Sequence, residues 1–98
     1  MSSRVLLVDD ERSFLDVLAP FLERAGFLVE AVQDGEMALR RIAEAAPDVI
    51  VLDVMMPHVD GREVCRRLRG AGNWTPVIML TQVGGPTERA MSLEEGAD

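Results

Sequence analysis

Lysine is absent from this 98-residue chain: all ten basic residues are arginine, against seventeen acidic ones, for a formal charge of −7. A surplus of negative charge is a poor basis for holding nucleic acid or an anionic membrane, so neither is expected as a direct partner. Cysteine is nearly absent too. The single thiol, Cys65, excludes an internal disulfide and fits a reducing, intracellular setting, where it reads as a small buried apolar side chain. Long apolar runs are missing: none approaches the roughly 20 residues of a membrane span. The first one, residues 5–8, is closed at once by Asp9, Asp10 and Glu11 and is too short for a signal peptide. A cytoplasmic location is expected. Linkers, repeats and low-complexity segments are also lacking, so residues 1–98 read as one small domain.

What is present is apolar residue in ordered blocks, 48% of the chain. Residues 5–8 and 49–52 are short uninterrupted apolar runs of the kind that suit strands buried on both faces. Residues 27–32 and 76–80 read as two further strands. Between them lie helical spacings: Phe14, Leu15, Leu18, Phe21, Leu22 and Ala25, then Met37, Ala38, Ile42 and Ala45, then Val64, Cys65 and Leu68. Pro20 falls inside the first of these and should kink it or loosen one turn. Asp60, with Glu63 three residues on, has a capping-box spacing at the head of the third helix. A fourth helix is expected after Gly84-Gly85-Pro86, capped by Thr87, carrying Ala90, Met91 and Leu93, and stopped by Gly96. Strand and helix thus alternate four times, which implies right-handed βαβ units and a doubly wound parallel sheet of the α/β class.

Three of the apolar runs end in residues with chemistry: Asp9 and Asp10, Asp53, and Thr81. Ligands of such sheets bind beyond the carboxyl ends of the strands, so these residues, distant in sequence, should converge there. Two unit charges about 5 Å apart repel by roughly 3 kcal/mol at an effective dielectric of about 20. A divalent cation relieves that repulsion. Hard oxygen ligands favour magnesium, which takes one or two carboxylates, keeps several waters and also accepts phosphate oxygens. A carboxylate beside the metal can attack phosphorus and form an acyl phosphate.

VLLVDDE, VIVLDVMMPHVDG, PVIMLT and EEGAD, in that order and at their spacings, resemble the receiver domain of two-component response regulators over the whole chain. The resemblance implies the flavodoxin-like receiver fold, magnesium as cofactor and a sensor histidine kinase as partner. It implies that Asp53 is the phosphoacceptor, that Asp10 binds the metal directly and that Asp9 acts mainly through water. By the same resemblance Asp53 itself and the backbone carbonyl of Met55 are metal ligands, and Thr81 senses the phosphoryl group. Pro57 and Gly61 shape the loop after the acceptor, and Gln82 influences access and dephosphorylation. His58 has no paired ligand and reads as an exposed loop residue. Trp74 reads as loop cover, and Arg62, Arg66, Arg67 and Arg69 as the solvated face of the third helix.

The chain departs from the family in length. Four βα units are expected of the family's five, so the domain reads as C-terminally incomplete, without the lysine that would neutralise a phosphoryl group. Arg89 is a weak candidate to replace it. The fourth strand is then expected to be an exposed sheet edge, open to a homodimer or strand swap, and phosphorylation to be weaker than in a complete receiver. Two other readings stay open. One is a non-switching structural or dimerisation fragment. The other is a magnesium-dependent phosphatase, against which Met55 stands where such enzymes commonly carry a general acid.

Overall fold

The computed structural model describes residues 2–82 and 89–94, with side chains for 2–81. In chain order the elements are β1 (Arg4–Val8), α1 (Arg12–Arg24), β2 (Leu28–Val32), α2 (Gly35–Glu44), β3 (Val49–Asp53), α3 (Gly61–Gly70), β4 (Val77–Gln82) and β5 (Arg89–Glu94). They form one sheet in the order β2-β1-β3-β4-β5, parallel through β4. The doubly wound, flavodoxin-like class therefore holds.

The strands' period of two divides the core between the faces. Val5, Leu7, Val51 and Leu80 face one way and pack with Leu15, Phe14, Leu18 and Leu22 of α1. Leu6, Val8, Ile50, Leu52, Val77 and Met79 face the other way, against Ala38 and Ile42 of α2 and Val64, Cys65 and Leu68 of α3. Because β1 and β3 are covered on both faces, they read as continuous apolar runs rather than alternating ones.

The helices start where short polar side chains can serve their orphan N–H groups. Asp34 accepts from the Met37 amide at 2.7 Å, and Asp60 from the Glu63 amide at 2.9 Å. Only half of the expected capping box forms, because the Glu63 carboxylate is instead occupied by Arg66 and Arg67. α1 runs unbroken through Pro20; Pro20 and Asp16, whose carbonyl loses its helical donor there, are both exposed.

The last segment differs from expectation. Arg89–Glu94, expected within a helix, is a strand paired antiparallel to β4 from Gln82↔Arg89 to Val77↔Glu94. An isolated helix shorter than about 12 residues is marginal in water, whereas pairing satisfies the open N–H and C=O groups of an apolar strand. β4 is consequently not the sheet edge, and the expectation of a homodimer through it loses its basis; β2 and β5 are the edges. The expected Gly84-Gly85-Pro86 loop, the Thr87 cap and the Gly96 stop lie outside the described residues.

Hydrogen bonds from Arg66 first, and then from Arg67, hold the Glu63 carboxyl below its ordinary range. A carboxyl lowered by folding stabilises the fold above its unfolded value, near 4.3, and this contribution is lost as pH falls through the folded value. Arg66 and Arg67 are exposed and Glu63 is half-buried at the surface, so solvent screens the pairs and the effect is small. Denaturant midpoints followed below about pH 5 should fall less steeply for Glu63→Gln than for the wild type; equal slopes would remove Glu63 from the acid response. Replacing the α3 cap, Asp60→Ala, should cost about 1 kcal/mol in the same measurement.

Candidate metal and phosphoacceptor site

β1 and β3 are adjacent and parallel, with Val8 paired to Leu52, so the residues that follow them emerge side by side. The chain leaves β1 for β2 on one side and crosses back to β3 on the other. This is the point in such a sheet where a crevice opens at the carboxyl ends. Asp9 is fully buried there, Asp53 is 2% exposed, and Asp10 is open to solvent. Each offers a carboxylate oxygen, and the three oxygens lie within 4.8 Å of one another.

Backbone donors aim two of these carboxylates. Asp9 Oδ1 accepts from the Glu11 amide at 2.8 Å, and Asp53 Oδ1 accepts from the Met55 amide at 3.1 Å. The strand ends are tied in turn: the Asp9 amide donates to the Val32 carbonyl and the Val54 amide to the Leu80 carbonyl. Three carboxylates, two of them buried and oriented, form a hard-oxygen donor set suited to a divalent cation, with Asp10 at its solvent side.

β4 brings Thr81 to the same end of the sheet. Leu80 pairs with Asp53, so Thr81 stands one residue further along the neighbouring strand, half-buried. Gln82 follows it, and the register sets Arg89 opposite Gln82; both side chains lie outside the described residues.

The loop 54–60 is a packed segment. Val54, Met56 and Val59 are buried in the larger core cluster, while the Met55 side chain is 68% exposed. His58 takes a left-handed backbone, φ 65°, a conformation in which histidine is enriched several-fold among non-glycine residues. Gly61 seats the start of α3 on the end of β3: a Cβ there would lie 2.3 Å from the Asp53 carbonyl oxygen. Pro57 is exposed in the same loop.

Trp74 lies at the other end of the sheet, before β4, and is exposed. Arg69 is buried rather than solvated. It donates to the carbonyls of Asn73 and Thr75 and stands 5.4 Å from the Trp74 ring centre, pinning the turn that leads into β4. The helical spacing missed this, because Arg69 follows Leu68 at the edge of the apolar stripe. Cys65 is buried, as expected. Among the described residues, no helix is long and apolar enough to cross a membrane.

The description "Response regulator receiver domain" matches residues 5–98 as a family. The chain is 48% identical over all 98 residues to the response regulator MprA of Mycobacterium tuberculosis, and 47% identical to that of Mycobacterium ulcerans. It spans only 43% and 42% of the lengths of these curated relatives. Among solved structures, the receiver domain of Francisella response regulator 1452 superposes with a TM-score of 0.81 at 33% identity, covering 87% of this chain and 70% of that one. The chemotaxis protein CheY4 of Vibrio cholerae gives 0.79 at 36%, covering 88% and 73%. The receiver domain of the Arabidopsis thaliana histidine kinase CKI1, solved with Mg2+ and BeF3−, gives 0.75 at 29%, covering 86% and 69%.

Crowding of the three carboxylates costs stability without a cation. Asp53→Asn keeps the Oδ1 acceptor and removes one charge, so it should raise metal-free stability by about 1–3 kcal/mol. Urea midpoints in chelator check this. No gain would show that the cluster is not under mutual repulsion, and a gain undiminished by excess divalent cation would show that no cation binds there to relieve it.

Proposed function

We propose that this chain, which belongs to the response regulator receiver domain family, takes a phosphoryl group from a sensor histidine kinase onto Asp53, with Mg2+ as the required cation. The observation that carries this is the meeting of Asp9, Asp10 and Asp53 within 4.8 Å at the carboxyl ends of β1 and β3. The receiver of CKI1 solved with Mg2+ and BeF3− supports both the metal and an anion beside it. We read residues 1–98 as one receiver domain in the cytoplasm, acting as a signalling acceptor rather than an enzyme that turns over.

Asp53 and Asp10 would hold the metal directly, with Asp9 acting through water, and the Met55 carbonyl would add a backbone ligand. When bound, magnesium supplies positive charge that draws in the phosphoryl oxygens and screens them from the carboxylates. Asp53 Oδ1 is engaged by the Met55 amide, which fixes the rotation of the carboxylate and presents its other oxygen. That oxygen attacks phosphorus, the bond from phosphorus to the kinase imidazole breaks, and the imidazole nitrogen keeps the electron pair and takes up a proton. The product is an aspartyl phosphate. The Thr81 hydroxyl then donates to a phosphoryl oxygen, which makes it the sensor of the modification. Pro57 and Gly61 keep the metal-bearing loop in place, and Gln82 influences access and dephosphorylation. Met55 has a thioether where a phosphatase would hold a proton donor, so release of product to a second acceptor is not favoured.

Titration calorimetry with MgCl2 should show one site in the wild type and at least about tenfold weaker binding in Asp10→Asn. Acetyl phosphate should add one phosphoryl group to the wild type only when Mg2+ is present, and none to Asp53→Asn, read by intact mass. A wild-type protein that stays unlabelled with Mg2+, or a label that survives in Asp53→Asn, would sink the assignment.

A further inference from the structure

Two helices begin with a glycine pressed onto the loop that follows the acceptor. Gly61 heads α3 and rests on Asp53, as described above. Gly35 heads α2, which belongs to a different βα unit and carries no group of the site. A Cβ built on Gly35 would lie 2.4 Å from the Val59 carbonyl oxygen, 2.9 Å from Val64 Cγ2 and 3.0 Å from Val59 Cβ. Its nearest neighbour is backbone, which cannot swing aside as a long side chain can. Gly35 is buried and does not have a positive φ, so close approach, not backbone conformation, is what requires glycine there.

We propose that Gly35 is a positioning residue for the phosphoacceptor site, acting through the Val59 backbone on the loop that carries Met55; this rests on the reading of Asp53 and Met55 given above. The loop is tied at both ends. The Val54 amide donates to the Leu80 carbonyl at 3.0 Å, and the Gly61 amide donates to the Val54 carbonyl at 3.1 Å. The head of α2 is also tied, by the Asp34 cap on the Met37 amide. When bulk is added at residue 35, the irregular segment between these ties, residues 55–60, takes up the shift against the core packing of Met56 and Val59. Relaxing a 2.4 Å approach to an ordinary contact at 3.4 Å moves one segment by about 1 Å. The first bond in the path of that movement is the Met55 amide to Asp53 Oδ1, which aims the acceptor. A misplacement of about 1 Å at reacting groups can slow chemistry by about 100-fold, even when the change is remote.

Gly35→Ala should weaken Mg2+ binding by about tenfold, slow labelling by acetyl phosphate by about 10- to 100-fold, and move the Met55 amide resonance in metal-free protein. Gly70→Ala is the control: Gly70 ends α3 with nothing within 4 Å of its would-be Cβ, and all three readings should match the wild type. The double variant Gly35→Ala with Val64→Ala removes the Val64 Cγ2 contact at 2.9 Å and keeps the one to the Val59 carbonyl oxygen, so it serves if Gly35→Ala alone does not fold; it should move the Met55 resonance and weaken Mg2+ binding as Gly35→Ala does. A lower melting temperature with unchanged Mg2+ affinity and an unmoved Met55 resonance, in whichever variant folds, would overturn the proposal. Failure of the wild type to bind Mg2+ would overturn the function above instead, and the metal-free Met55 resonance would still judge the positioning role of Gly35.

Discussion

Three carboxylates do not stay within 4.8 Å of one another unless something rigid holds them there. In this protein the rigid object is the pair β1 and β3. Both strands are covered on each face by helices, and neither can slip by one residue without moving every side chain into the opposite core layer, where it does not fit. Their registers bring Val8 beside Leu52, and so Asp9 and Asp53 leave the sheet together. The apolar core thereby sustains an electrostatically unfavourable arrangement at its rim, and a bound cation would convert that arrangement into a binding site. The chemistry depends on the sheet more than on any one aspartate.

Around that constraint the supporting parts are short and local. Backbone amides from Glu11 and Met55 orient two of the carboxylates. Glycines at residues 35 and 61 let two helix starts close on the loop after Asp53. Val54, Met56 and Val59 anchor that loop in the core while Met55 between them stays exposed. The result is a loop held by packing at alternating positions, which can present a backbone carbonyl without being a regular element.

Much of this is legible in the residues. Uninterrupted apolar runs mark strands buried on both faces, and apolar residues three and four apart mark the helices between them, so the class follows from periodicity. Asp9, Asp10, Asp53 and Thr81 stand out because each interrupts an apolar run at its carboxyl end. At 89–94, Ala90, Met91 and Leu93 satisfy a helical spacing, while the demand of β4 for a partner is a non-local force with no local mark. Arg69 escapes a local reading for a related reason. One position beside an apolar stripe does not tell whether a guanidinium turns to water or folds back onto carbonyls at residues 73 and 75.

The sequence by itself determined the alternation of strands and helices, the acidic balance and the identity of the residues that end the strands. These depend on local propensity and on period, which neighbouring residues encode. Only the tertiary structure decided how closely the three aspartates meet, that α2 presses its first glycine on the loop after β3, and that β4 is covered by an antiparallel strand. Those facts depend on which surfaces meet across tens of residues, where burial and backbone pairing outweigh local preference.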